Sequence, residues 1–96
     1  MLDIKKMIDG RCMTVALSGQ LDSATSLEFD AAMQNLENVD EVTLDLKGLD
    51  YISSGGLRVV MGFKRRLGAR PLRFENIGLE VREVFDITGS SVLLGL

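Results

Sequence analysis

The sequence predicts an α/β domain with a mixed, mostly parallel sheet of four to five strands, an N-terminal antiparallel hairpin and helices packed on the sheet. Three observations carry this. Alternating apolar residues flank a tight Asp9-Gly10 turn near the start. Beyond residue 24, segments with helical period and segments with period two take turns along the chain. The 96 residues, 46% of them hydrophobic, suffice for one core and no more, so residues 1–96 are expected to form a single domain.

Each element rests on its own pattern. Leu2, Ile4, Met7 and Ile8 precede the Asp9-Gly10 turn, and Met13, Val15 and Leu17 follow it on one face, opposite Cys12, Thr14, Ala16 and Ser18. Strands over about 2–8 and 11–18 follow, with Gly19 to Asp22 leaving as a loop. Ala24, Leu27, Ala31, Met33 and Leu36 give a helix over about 24–37, capped by Ser23 or Thr25 and stopped at Asn38. Val42, Leu44 and Leu46 alternate as a strand, and residues 47–52 connect it onward.

The clearest helix runs from Leu57 through Val60, Met61, Lys64 and Leu67 to Gly68, with the stem of Lys64 lying along the apolar stripe. Pro71 to Glu75 reads as an edge strand with Leu72 and Phe74 inward. After the Asn76-Ile77-Gly78 turn, a helix over about 79–86 buries Val81, Val84 and Phe85. The run Ser91-Val92-Leu93-Leu94 fits a terminal strand or a packed tail equally well. Right-handed crossovers are expected between the parallel strands.

Composition limits the chemistry. With no histidine, a Ser-His-Asp triad, a Cys-His dyad and a His-ligated metal are excluded within the chain. One cysteine excludes an internal disulfide and a four-cysteine zinc site. A net charge of −3 argues against direct nucleic-acid binding. No run reaches the roughly 20 apolar residues that span a bilayer, and no signal peptide opens the sequence, so no membrane insertion and a cytoplasmic location are expected.

The segment to argue about is Ser53-Ser54-Gly55-Gly56-Leu57-Arg58, at a strand-to-helix junction. Either serine can cap the helix. A helical glycine costs roughly 0.8–1.0 kcal/mol relative to alanine, so two in the first turn need a reason. They leave the first amides uncovered and let another backbone or an anion approach, at the end of the helix that favours negative charge. A plain capped turn accounts for the same spacing. The P-loop spacing is missing, no histidine exists to serve a nucleophile elbow, and no lysine lies at Ser-x-x-Lys spacing, so catalysis is not expected.

Three segments in order, Leu17-Ser18-Gly19-Gln20-Leu21-Asp22, Leu49 to Arg58, and Val84-Phe85-Asp86-Ile87-Thr88-Gly89, resemble STAS domains of the anti-sigma-factor antagonist family. The resemblance spans essentially the whole chain. It implies a (β/α) superhelical domain without enzymatic activity or cofactor, and protein–protein binding as its function. It also implies phosphorylation at Ser54, with Ser53 as the alternate, by a cognate anti-sigma factor that is a serine kinase. A PP2C-type phosphatase reverses the modification. The chain departs from many members in carrying Ser53 where they have Asp, and Gly55 where they have a further serine.

The expected partner-binding set is Asp22, Ser53, Ser54, Gly55, Gly56, Leu57 and Arg58. Asp22 and Asp50 either ring the serine loop or make turn and capping bonds. Lys64, Arg65, Arg66, Arg70 and Arg73 are expected to be a solvated face that complements a helix C-terminus. Cys12 is expected to be inert packing. The alternative reading is a non-phosphorylated STAS subunit bracing an ABC-type lipid transporter ATPase; a small-molecule sensor is a third, with no phosphate-binding signature behind it.

Overall fold

The computed structural model describes all 96 residues. Its elements are β1 (Leu2–Asp9), β2 (Cys12–Leu21), α1 (Ser26–Ala32), β3 (Glu41–Ile52), α2 (Ser54–Leu67), β4 (Leu72–Glu75), α3 (Leu79–Ile87) and α4 (Ser90–Leu93). The sheet has the order β1-β2-β3-β4; β1 and β2 are antiparallel and the other neighbours parallel. The mixed sheet with a leading hairpin is therefore as the sequence predicts. The last segment is the short helix α4, which leaves four strands rather than five.

Met13, Val15 and Leu17 share one buried face with Val42, Leu44, Leu46 and Leu72, and the helices close over it in one core. Ring contacts tie the layers together. Phe29 of α1 meets Phe63 of α2 edge-on at 5.8 Å, and Phe74 of β4 meets Phe85 of α3 at the same distance. The opposite face of β2 carries Cys12, Thr14, Ala16 and Ser18, none of them buried. Cys12 is exposed rather than packed, and the Glu41 carboxylate that accepts from its thiol pushes the thiol pKa up. A thiol held protonated is a poor nucleophile.

Both central strands outrun their expected ends. The β2–β3 register slips between Ala16 and Ser18 and again between Gly19 and Gln20, which are bulges. They absorb the break in alternation from Leu46 to Leu49 and carry pairing on to Leu21 opposite Ile52. Residues 19–21 and 47–52 are thus strand, and the two strands end level.

Two helical faces also differ from expectation. In α1 the buried side chain is Phe29, and the core stripe runs Thr25, Phe29, Met33, while Ala24, Leu27 and Ala31 face solvent. In α2 Phe63 is fully buried and joins Leu57, Val60 and Leu67, which turns Met61 and Lys64 to the flank. Phenylalanine buries more area than alanine or methionine, so it sets the rotation of each helix.

α1 stops at Ala32, five residues short of the predicted end. Beyond it the carbonyls of Leu36 and Val39 accept from the Arg70 guanidinium at 2.8 and 3.1 Å, so the chain there needs no helical partner. Arg70 also donates to the Leu67 and Arg66 carbonyls and so caps α2. Arg66 pairs with Asp30 at 3.0 Å and Arg73 with Glu41 at 3.7 Å. The basic cluster is thus partly structural: Arg66 and Arg73 pair with carboxylates and Arg70 with backbone carbonyls, while Lys64 and Arg65 make neither kind of bond.

Candidate functional site

The level ends of β2 and β3 build the serine loop. The Ser53 N–H donates to the Leu21 carbonyl at 3.0 Å, which locks the start of α2 against the end of β2. Ser53 has extended backbone and its Oγ accepts from the Gly56 N–H at 3.1 Å, so Ser53 is the N-cap. Ser54 is then the first helical residue. Its side chain is exposed, and neither its own N–H nor that of Gly55 donates to any protein group. A hydroxyl and two free amides therefore meet at the positive end of a 14-residue helix. Arg58, one turn along, is exposed and forms no ion pair.

The glycine pair is required by close approach of the loop that follows β2. A Cβ on Gly55 would meet the Ser23 side chain, its Cβ at 3.2 Å. One on Gly56 would run into the Leu21 carbonyl, with the carbonyl carbon at 2.8 Å. Ordinary side chains at these positions would push the start of α2 off the strand end.

Asp22 serves the fold. Its Oδ1 accepts from the Ala24 and Thr25 N–H groups, both at 3.0 Å, and from the Thr25 hydroxyl at 3.2 Å. Thr25 is the N-cap residue of α1, one of the two the sequence allowed, but its side chain makes no cap bond, and Asp22 holds the turn that leads into the helix. Thr25 is buried and instead donates its hydroxyl to the Gln20 carbonyl at 2.9 Å. Asp50 is exposed and lies toward α3, where it lines a surface depression with Lys47 and Leu79. Asp22 is thus engaged in the turn after β2, and Asp50 stands beside the start of α3. Gly56 and Leu57 are buried, so of the seven residues expected to bind a partner these two shape the site from beneath. Ser54 and Arg58 present side chains outward, with Ser53 and Gly55 half-buried between them and the core. Ser23, read in the sequence only as a possible helix cap, forms the wall against Gly55.

Hydrogen bonds from Thr25, foremost its N–H, hold the Asp22 carboxyl below the usual carboxylate range. Arg11 does the same for Asp40, and the Asn76 amide for Asp45. A carboxyl depressed by folding binds protons less readily than in the unfolded chain. Its contribution is therefore complete above the unfolded value, about 3.9, and is lost as pH falls through the folded one. Thermal melts in a pH series should show the melting temperature dropping below about pH 4. Asp22→Asn should melt lower at neutral pH and decline less steeply in acid.

With this geometry in hand, a family model described as Mlab, STAS domain, matches residues 4–95. The chain is 42% identical to BtrV of Bordetella bronchiseptica, a proposed anti-sigma factor antagonist, over 85% of this chain and 73% of that one. A crystal structure of an anti-sigma factor antagonist from Mycobacterium paratuberculosis superposes with TM-score 0.87 at 18% identity, covering 97% of this chain and 82% of the other. SpoIIAA, an anti-sigma factor antagonist, is also similar in its unphosphorylated form (TM-score 0.72, 21% identity, 91% and 83% covered). Its phosphorylated form, from Bacillus, gives TM-score 0.68 at 23% identity, with 99% and 86% covered.

Proposed function

As the chain belongs to the STAS domain family, we propose that it is an anti-sigma-factor antagonist whose docking on its partner is switched by phosphorylation of Ser54. The partner is an anti-sigma factor with serine-kinase activity, and a PP2C-type phosphatase restores the binding form. The observation that carries this reading is the division of labour between adjacent serines. Ser53 spends its hydroxyl as the helix cap, whereas the Ser54 hydroxyl is exposed and beside free amides. A phosphate there adds about −1.5 to −2 charge at a helix end that tolerates it. The same charge sits in the middle of any surface that docks over the loop, so it opposes binding while sparing the fold. The nearby unpaired Arg58 offers a cation to the phosphate.

The matching family model carries the Mlab name, not an antagonist's, which favours one second reading. That reading is a constitutively docked STAS subunit, bracing an ABC-type lipid transporter ATPase through the same face with no phosphate. Incubation with the cognate kinase and ATP separates the two. Intact mass should rise by one phosphoryl group, and peptide mapping should locate it on Ser54. Ser53→Ala should still be modified and Ser54→Ala should not. A chain left unmodified by an active cognate kinase would leave the constitutive subunit as the reading.

A further inference from the structure

The last helix, α4, has its polarity reversed. Ser90 and Ser91 face inward, while Val92 and Leu93 stand 82% and 61% exposed. The inward serines are held by bonds: Ser91 donates to the Asp86 carboxylate, and the Ser90 and Thr88 hydroxyls pair at 2.8 Å. Leu94 at the C-cap is buried in the core, so the turn does close it, but a turn with no other task would leave its serines rather than Val92 and Leu93 in water. These bonds instead fix Val92 and Leu93 outward.

Leu93 borders a groove of about 430 Å³ with Met61, Lys64 and Arg65 of α2. Neither cation has an ion-pair partner. The preceding helix α3 presents Leu79, Glu83 and Ile87 at i, i+4 and i+8, with Glu80 nearby. Leu79 and Ile87 are 84% and 83% exposed, and neither glutamate is paired. The remaining charges on α3, Arg82 and Asp86, bridge each other at 3.5 Å. The chain thus exposes an acidic, apolar-edged ridge on α3 and a basic, partly apolar groove between α2 and α4.

We propose that this surface is a self-association interface, in which the α3 ridge of one copy seats in the α2–α4 groove of a second copy. The occupant follows from charge. The chain carries both complementary halves, so a second copy offers an acidic ridge to the basic groove and a basic groove to the acidic ridge, and a closed twofold dimer would pair both at once. Arg65 lies eleven residues along α2 from Ser54, about 16 Å away, so this face is separate from the serine loop.

Sedimentation equilibrium of the full chain tests it. Wild type should form a reversible dimer. Lys64→Glu with Arg65→Glu, and separately Glu80→Lys with Glu83→Lys, should each weaken association at least about tenfold through like-charge contact. Mixing these two variants should restore a dimer, because each then meets its opposite. Leu93→Ser, a change at an exposed side chain, should also weaken association and tests the contact even if a charge reversal disturbs folding. A wild type that stays monomeric to about 1 mM, far above a specific dimer's range, overturns the proposal. So does self-association unmoved by Leu93→Ser, or a monomer that instead captures an acidic peptide in the groove.

Discussion

Ser54→Asp is expected to bind the anti-sigma partner about 150-fold more weakly than wild type, the equivalent of roughly 3 kcal/mol of lost coupling. Ser54→Ala should stay within a few-fold of wild type, because its hydroxyl makes no bond within the domain. The contrast follows from where the side chain sits. An exposed carboxylate at the first position of α2 is hydrated when free and must shed that water when a partner closes over the loop. Asp carries one charge where phosphate carries nearly two, so the phosphorylated protein should be weaker still. The domain itself should not suffer. A negative charge at a helix N-terminus is favourable by about 0.3–1 kcal/mol, so the melting temperature of Ser54→Asp should equal or slightly exceed that of wild type. Titration calorimetry with the partner, alongside thermal melts, reads both quantities. Equal affinities for the Asp and Ala variants would remove the switch.

Gly56→Ala is expected to lower stability by about 3 kcal/mol, and the melting temperature by on the order of 15 °C. The added methyl would meet the carbonyl carbon of Leu21 at 2.8 Å and its Cγ at 3.0 Å. The neighbouring atoms have no easy way to yield, since the Leu21 carbonyl is already held by the Ser53 N–H. Relief requires breaking the bond that anchors α2 to β2. Gly62→Ala on the same helix is the control. The only atom near its new Cβ is an Arg65 guanidinium nitrogen at 3.8 Å, so helix propensity decides the outcome and stability should rise by up to about 1 kcal/mol. Urea unfolding of the two variants should move in opposite directions. A neutral Gly56→Ala would mean that the close approach is not what the glycine serves.

The sheet and most helices were legible because their patterns repeat. Met13, Val15 and Leu17 alternate over enough residues to specify a face, and the hairpin turn fixes their register. Legibility failed where a single large ring outweighed several small residues. Ala24, Leu27 and Ala31 keep helical spacing, yet Phe29 takes the core and sends them to solvent. It failed again at the strand ends, where bulges disguise β2 and β3 as loops. Asp22 had two readings open in the sequence, and its bonds to Ala24 and Thr25 show the turn-forming one.

The sequence by itself determined the α/β class, the helix that begins near the paired serines, and that Gly55 and Gly56 leave its first turn bare of side chains. Those properties are local: periodicity, capping chemistry and the absence of a side chain act within a few residues. Only the tertiary structure decided that Ser53 is the cap and Ser54 the exposed hydroxyl, that the loop after β2 packs against those glycines, and that α4 turns its serines inward. These depend on contacts between residues thirty or more positions apart, or on which of several local bonds the packed core leaves available, and neither is written in spacing.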